Sequence, residues 1–236
     1  MHRRPPSLAR AVAVVPALAL LAACGGTVAA DPGAPAGTDG FHGTEPDRVV
    51  ARPDFVLTDT SGERYDFAER THGRPTLVYF GYTNCPDECP TAMATVATAL
   101  RQVPPELREQ TVVVFVGTDP ERDTPGAVRR FLDQFDSDYV GLVGTELEVQ
   151  AATQAAGTSA SVRQGSLPTS PGKPDEHEHA PGTASHEHFG PLGYGVGHED
   201  AVYAYGGDRL QVVYPGSTQP ADIVADLPRL ADPGGA

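Results

Sequence analysis

The sequence predicts an α/β domain, in which a central sheet with parallel strands carries helices on both faces. Three short runs of apolar, β-prone residues, at 74–83, 111–119 and 139–144, have the length and composition of buried strands. Segments with apolar residues at helical spacing follow them, such as the i, i+3, i+4, i+7 series that begins at Met93. Buried strands that alternate with helices are typical of a sheet covered on both faces. Segment 49–232 is long enough to bury a sizeable core in a single domain.

The remaining elements are predicted from turn and capping residues. The stretch "DFVLTDTSGERYDF", residues 54–67, has apolar residues on either side of a Thr-Ser-Gly turn, which predicts an N-terminal β-hairpin. Thr124 and Pro125 suit the N-cap and the first position of a helix. Further along, the patterns predict a helix at 145–157, two strands about Gly206 and Gly207, and a closing helix at 218–232 that is kinked or ends near Pro228.

The first 23 residues, 1–23, are typical of a secretory signal peptide. They combine a basic start with an apolar stretch, 11–23, that is too short to span a bilayer. The stretch leads into "LLAAC", which resembles the lipobox of bacterial lipoproteins and implies cleavage before Cys24 and a diacylglycerol on its sulfur. The alternative is a cleaved signal that leaves Cys24 as a free thiol. The lipoprotein interpretation predicts a chain anchored through lipid at the extracytoplasmic face of the bacterial cell membrane.

Two segments have compositions that do not suit a packed core. Residues 24–48 are rich in Gly, Ala, Pro, Thr and Asp, and we expect them to form a flexible tether. Residues 157–195 hold Gly, Pro, Ser, Thr and His, and a connection of that length is either functional or disordered. We expect a flexible His-rich insertion there. Its two His-x-His pairs are candidates for a weak auxiliary site for Cu(II), zinc or nickel, the alternative being a solvated loop: His177, His179, His186 and His188.

The net charge argues against nucleic acid as a partner. The formal charge is −14, and it becomes −17 if Arg3, Arg4 and Arg10 leave with the signal peptide. Binding to a phosphate backbone needs a basic surface, which this composition does not provide. Membrane attachment would therefore come from acyl chains rather than from basic residues.

Two cysteines carry the most specific signal in the chain. If Cys24 is acylated, Cys85 and Cys89 remain, four residues apart in "NCPDECP" between a predicted strand and a predicted helix. In a helical turn both side chains lie on one face, where two sulfurs can form a disulfide or bind one metal ion. A helix start also favours the thiolate, so we expect lowered thiol pKa values. An inert structural disulfide is less favoured, because a bridge that closes so short a loop gains little stability.

A metal site would need a third ligand, and the candidates are histidines. His42 falls in the predicted tether, and His72 in a polar turn before the first buried strand. His198 comes directly before a predicted strand, and the sheet could bring the start of that strand near the cysteine loop. This placement singles out His198, although a lone histidine is more often a surface or core residue.

Three motifs, "VYFGYTNCPDECPTAM", "VGTDPERDTP" and "VGHEDAVYAY", occur in this order and resemble the SCO/SenC proteins over about residues 54–232. The resemblance implies a thioredoxin-like fold, here a mixed sheet flanked by helices, in a membrane-tethered protein that delivers copper during cytochrome c oxidase assembly. It implies that Cys85, Cys89 and His198 bind copper, with the copper-bearing oxidase subunit as the acceptor. The donor chemistry agrees, because thiolates select Cu(I) and imidazole also tolerates Cu(II).

Two positions depart from the family pattern. Asn84 stands where the family commonly has His, and Glu88 stands where it commonly has an apolar residue. We expect the Glu88 carboxylate to raise the pKa of the neighbouring thiols modestly. Asp119 has two interpretations, either a residue that supports the ligands from behind or, the one we favour, the cap of an acidic turn.

Two further functions compete with copper delivery. One is a thiol–disulfide oxidoreductase that reduces the cysteines of the copper acceptor, in which Cys85 attacks and Cys89 resolves the mixed disulfide. The CxxxC spacing departs from the CxxC of typical thioredoxins, and this chemistry has no evident use for His198. A peroxiredoxin-like peroxidase ranks lowest, because the Thr-x-x-Cys arrangement of that branch is absent.

Overall fold

The computed structural model describes residues 40–158, 162–164, 195–197, 199–232 and 234. Its strands are β1 Val56–Asp59, β2 Arg64–Asp66, β3 Thr76–Gly81, β4 Val112–Gly117, β5 Val140–Val143, β6 Val162–Gln164, β7 Gly195–Gly197, β8 Ala201–Gly206 and β9 Arg209–Pro215. Its helices are α1 Phe67–Thr71, α2 Glu88–Leu100, α3 Pro105–Gln110, α4 Pro125–Leu132, α5 Glu146–Ala155 and α6 Pro220–Ala231. None of the helices in these ranges has the length and apolarity needed to cross a membrane.

Seven strands form one mixed sheet in the order β2-β1-β5-β4-β3-β8-β9. The central strands β3, β4 and β5 are parallel, because each is joined to the next by a helical crossover. On one side of these strands, β1 is antiparallel to both β5 and β2. On the other side, β8 is antiparallel to both β3 and β9. This arrangement confirms the predicted α/β class, its mixed central sheet and its N-terminal β-hairpin.

Alternate residues of the central strands supply two cores, one on each face of the sheet. Leu77 and Tyr79 of β3 face the core that contains the apolar residues of α2, α4 and α6. Val78 and Phe80 face the core that contains Phe67 of α1 and residues of α5. All six residues of β3 are buried, as expected for a strand covered on both faces.

Helix boundaries agree with the capping residues in most places. The Thr124 hydroxyl accepts a hydrogen bond from Ala127 N at 3.3 Å, with Pro125 as the first helical residue. Two short helices, α1 and α3, were not predicted. Helix α1 begins at Phe67, which the hairpin pattern assigned to the end of a strand. Helix α3 has no buried residue and therefore no apolar stripe. Pro228 lies inside α6, and the helix continues to Ala231.

The chain packs against the domain earlier than the predicted boundary at residue 49. The amide and carbonyl of Thr44 exchange hydrogen bonds with Val213 of β9 at 2.9 and 2.8 Å. His42 contacts the buried carboxylate of Asp226 through its amide at 2.9 Å and its Nδ1 at 2.7 Å. The polar composition that predicts a tether therefore includes, from Gly40, an arm that is held by these hydrogen bonds and by the packing of Phe41 against the core.

The ends of the predicted His-rich insertion meet in a two-stranded ladder. β6 and β7 pair in antiparallel register, with Val162 opposite Gly197. Both strands lack a long apolar run, which explains why the pattern did not reveal them. The four insertion histidines, the predicted signal peptide 1–23 and Cys24 lie outside the described residues.

Candidate metal centre

The two cysteines lie where strand β3 passes into helix α2. The loop turns back at once, because Cys85 N donates to Tyr82 O at 3.2 Å. Asp87 is the N-cap of α2 and accepts a hydrogen bond from Glu88 N, which places Cys89 in the first turn of the helix. Cys89 N then donates to Cys85 Sγ at 3.4 Å, so the two residues lie one above the other as their spacing predicts.

Both cysteines are thiols in this structure and both are buried. Cys85 is 6% exposed and Cys89 is fully buried. Burial raises the pKa of the Cys89 thiol well above its usual value, and the neighbouring Cys85 adds to the effect. Hydrogen bonds with the Tyr82 backbone and with the Tyr79 side chain act in the opposite direction. The expected lowering of this pKa at the helix start is therefore wrong for Cys89, because desolvation outweighs the helix terminus.

Two carboxylates lie beside Cys85. Within the described ranges, one group of three potential ligand atoms gathers within 4.8 Å, and it belongs to Cys85, Asp87 and Glu88. Sequence reasoning singled out Glu88 for its charge, but it missed Asp87, whose acidic N-cap position was the available signal. The outer side of Cys85 is thus polar and acidic, whereas Cys89 faces the core.

The segment after β4 supports the cysteine loop. Asp123 accepts hydrogen bonds on Oδ1 from the amide and the hydroxyl of Thr83, both at 2.8 Å. Its Oδ2 accepts a hydrogen bond from Asp119 N at 2.9 Å. Burial raises the pKa of Asp123 to about 6 despite these hydrogen bonds. Asp123, which sequence reasoning passed over within "DPERDTP", therefore ties the entry of the cysteine loop to the neighbouring strand.

Asp119 acts through an arginine. Its carboxylate is buried and forms an ion pair with Arg122, three residues later. The Arg122 guanidinium lies over the ring of Tyr82, 5.7 Å from its centroid. Tyr82 in turn hydrogen-bonds with Cys85, and burial is the largest of the effects that raise its pKa. Asp119 thus belongs to the turn, where its carbonyl accepts a hydrogen bond from Asp123 N at 2.7 Å, and its carboxylate pairs with the arginine that lies over Tyr82.

The residues that follow His198 lie at the same end of the sheet. β8 is antiparallel to β3, with Val202 opposite Tyr79, so the chain enters β8 beside the end of β3 that leads into the cysteine loop. Asp200 accepts a hydrogen bond from the Tyr79 hydroxyl at 3.0 Å. Tyr79 also hydrogen-bonds with Cys89. His198 itself lies outside the described residues.

Two adjacent thiols at a helix start can do two kinds of chemistry. Once they are deprotonated, two sulfurs on one face form a soft donor pair that suits Cu(I). Oxidation would instead join them in a disulfide, with loss of two electrons and two protons. The donor set therefore fits copper. Zinc is a weaker candidate, because it usually takes four ligands.

A cysteine pair between a buried strand and a helix of a thioredoxin-like sheet defines a class of redox and metal-binding domains. The described fold superposes on apo Sco1 from Thermus thermophilus with a TM-score of 0.62 and 28% identity, over 80% of this chain and 96% of that one. It superposes on copper-bound ScoI from Bradyrhizobium japonicum with a TM-score of 0.58 and 27% identity, over 77% and 99%.

The sequence comparisons name the family. The SCO1/SenC family model matches residues 43–232, and the chain belongs to this family. The mitochondrial SCO2 homolog of Bos taurus is 31% identical over 185 residues, 77% of this chain and 59% of the relative. An SCO2-like protein of Rickettsia conorii is 35% identical over 107 residues, 45% and 51%. These matches span about half the length of the curated relatives.

Proposed function

We propose that this protein is a copper metallochaperone that binds copper through Cys85, Cys89 and His198 and delivers it to the copper-bearing subunit of cytochrome c oxidase. The observation that carries the proposal is the pair of adjacent buried thiols at the start of α2. It is supported by the copper that is bound to a relative of 27% identity, the Bradyrhizobium ScoI. The chain's own donors, two thiols and an imidazole, are the types that hold both Cu(I) and Cu(II).

Loading and release would follow from the state of the thiols. Copper can bind only when the pair is reduced, and binding displaces both thiol protons to solvent. The acidic surroundings of Cys85 would attract a cuprous or cupric ion, and the apolar core behind Cys89 would exclude water from the bound ion. Release would proceed by ligand exchange with the acceptor's own cysteines and histidines.

The location belongs to the same proposal. A lipid on Cys24, following a cleaved signal peptide of 23 residues, would anchor the domain at the extracytoplasmic face of the membrane. Residues 24–39 would then connect the anchor to the arm that begins at Gly40. This places the cysteine pair in the compartment where an oxidase subunit exposed outside the cytoplasm would accept copper.

The test is a Cu(I) titration of the full chain, reduced and without oxygen, against a chelator of known affinity. We expect one copper per chain, and a loss of affinity of about 100-fold, equivalent to about 2.7 kcal/mol, when either cysteine is replaced by serine. His198→Ala should also weaken binding, whereas His72→Ala, at an exposed histidine that pairs with Asp208, should not. Stoichiometric binding that survives both Cys85→Ser and Cys89→Ser would contradict the proposal.

A thiol–disulfide oxidoreductase is the second candidate. The contact between Cys89 N and Cys85 Sγ favours it, because it brings the two cysteines close enough to form a disulfide with each other. Cys85, the more exposed of the two, would attack the acceptor disulfide and Cys89 would resolve it. His198→Ala separates the two candidates. Weakened copper binding with an unchanged exchange rate supports the chaperone, whereas unchanged copper binding removes His198 from the site.

A further inference from the structure

The pairing of β3 with β8 joins the cysteine side of the site to the segment that carries the distal histidine. Tyr79 of β3 stands opposite Val202 of β8, in antiparallel register. Because the strands run in opposite directions, the residues that precede β8 lie alongside the end of β3. Asp200, two positions before Val202, is therefore the first residue after His198 that can reach the side of the sheet facing α2.

Tyr79 connects the two sides through its hydroxyl group. The ring is 1% exposed, and the hydroxyl donates to Asp200 Oδ1 at 3.0 Å across 121 positions of sequence. The same side chain hydrogen-bonds with Cys89, the fully buried thiol. Tyr79 thus contacts Cys89, which is a proposed copper ligand, and Asp200, which lies two positions after the proposed ligand His198.

Glycines make room for these contacts at both ends. A Cβ atom at Gly81 would lie 2.9 Å from Cys89 Sγ and 2.5 Å from Cε1 of the Tyr79 ring, both too close for carbon. At Gly216, a Cβ atom would lie 1.6 Å from Asp200 Oδ2, while Gly216 N donates to Asp200 O at 3.0 Å. The Cys89 thiol is packed against the backbone at Gly81, and the Asp200 carboxylate is packed against the backbone at Gly216. Both side chains are therefore held in place by close packing.

The residue before Asp200 is held on the opposite face of the sheet. Glu199 Oε2 accepts hydrogen bonds from the Tyr203 hydroxyl at 2.5 Å and from the Thr158 hydroxyl at 2.8 Å. Tyr203 belongs to the core on the α5 side, whereas Tyr79 belongs to the core on the α2 side. Successive side chains therefore fix the backbone directly after His198 from both faces.

We propose that Tyr79 and Asp200 form a clamp that positions His198 for copper binding by holding the start of β8 against the cysteine loop. The inference rests on the proposed function, because it assigns these residues to the same site. A ligand that has to be ordered when the metal binds costs free energy. A clamp that the protein forms from its own side chains removes part of that cost, and it leaves Tyr79 and Asp200 as positioning residues rather than ligands.

The test compares two tyrosine variants of the full chain. Tyr79→Phe removes the hydroxyl that contacts Asp200 and Cys89. Tyr214→Phe is the matched control, because the Tyr214 hydroxyl is equally buried and donates to a different carboxylate, Asp226 Oδ2, at 2.8 Å. We expect Tyr79→Phe to lower Cu(I) affinity about tenfold and to alter the Cu(II) electron paramagnetic resonance spectrum. Tyr214→Phe should lower the thermal midpoint of the metal-free chain similarly, but leave affinity and spectrum unchanged.

The acceptor side gives a rescue experiment. Asp200→Asn keeps an oxygen that can accept from the Tyr79 hydroxyl, whereas Asp200→Ala does not. We expect the Asn variant to retain most of the copper affinity and the Ala variant to resemble Tyr79→Phe. Equal losses in both variants would overturn the clamp, because the charge rather than the hydrogen bond would then matter.

A double-mutant comparison identifies the route of action. If the clamp works by positioning His198, Tyr79→Phe should have no further effect on copper affinity in a His198→Ala background. An undiminished effect there would overturn the proposal, since Tyr79 would then act on Cys89 alone. Equal copper affinity of Tyr79→Phe and the unaltered chain would overturn it too. Failure of the proposed function is recognised separately, because the unaltered chain would then bind no copper at all.

Discussion

Cys89 combines a reactive group with an environment that resists its ionisation. Its thiol is fully buried, and burial raises its pKa, so at neutral pH it is held as the neutral thiol until a metal or an oxidant displaces the proton. Cys85 is slightly exposed and has carboxylates beside it. The proposed function therefore gives the two residues of this short motif different roles, with Cys85 as the point of entry and Cys89 as the inner ligand.

Asp123 provides the sharpest prediction at a single residue. Burial raises its pKa from 3.8 to about 6, and the nearby Asp119 contributes in the same direction. Between these pH values the folded carboxyl group holds a proton that the unfolded chain has released, so stability declines as the pH rises through about 6. The contribution is at most about 3 kcal/mol, present in full below pH 3.8 and lost above the folded pKa.

The measurement is urea unfolding of the unaltered chain and of Asp123→Asn between pH 4 and pH 8. The free-energy difference between the two should be larger at the acidic end and should shrink as the pH rises. Asp133→Asn, at a half-exposed carboxylate that pairs with Arg129, is the control for the loss of a carboxylate elsewhere on the chain. A difference that grows toward neutral pH would mean that the pKa of Asp123 is lowered rather than raised.

One buried carboxylate of helix α6 binds the arm that begins at Gly40. Asp226 accepts hydrogen bonds from the amide and Nδ1 of His42 and from the Tyr214 hydroxyl, at 2.9, 2.7 and 2.8 Å. We expect Asp226→Ala to lower the free energy of unfolding by about 2–4 kcal/mol, because it leaves the Tyr214 hydroxyl buried without its acceptor. Amide exchange at Thr44, whose N–H bonds Val213, should also become faster.

Asp222→Ala in the first turn of the same helix is the comparison for this prediction. Asp222 accepts a hydrogen bond from Gln219 N at 3.0 Å, and the loss of such a cap costs about 1 kcal/mol. The account of the arm is wrong if Asp222→Ala costs more than Asp226→Ala, or if Asp226→Ala leaves the exchange of Thr44 unchanged.

The elements show what the sequence could and could not predict. The buried strands β3 and β4 and the caps of α4 and α5 were predictable, because continuous apolar runs and Thr at the N-cap act locally. Helix α3 was not, since none of its residues is buried and no apolar stripe marks it. The docking of the arm was equally hidden, because His42 and Asp226 are 184 positions apart and neither belongs to an apolar pattern.

At the scale of the whole molecule, the sheet order determines which distant residues meet. β3 lies between β4 and β8, so the cysteine loop is flanked by the segment after β4 and by the segment before β8. The first flank supplies Asp119 and Asp123, and the second supplies Asp200. The motifs identified the cysteine pair and its partner segments, but contacts such as Tyr79 with Asp200 depend on strand pairing that no local pattern reveals.

The proposed site therefore has two described sides and a third that the proposal assigns to His198. X-ray absorption at the copper edge of the reduced, Cu(I)-loaded full chain, compared with His198→Ala, measures the ligand set directly. The account predicts two sulfur ligands and one nitrogen ligand in the unaltered chain, with the nitrogen lost and both sulfurs kept in His198→Ala. Copper bound by sulfur alone, or a spectrum identical in the two proteins, would contradict it.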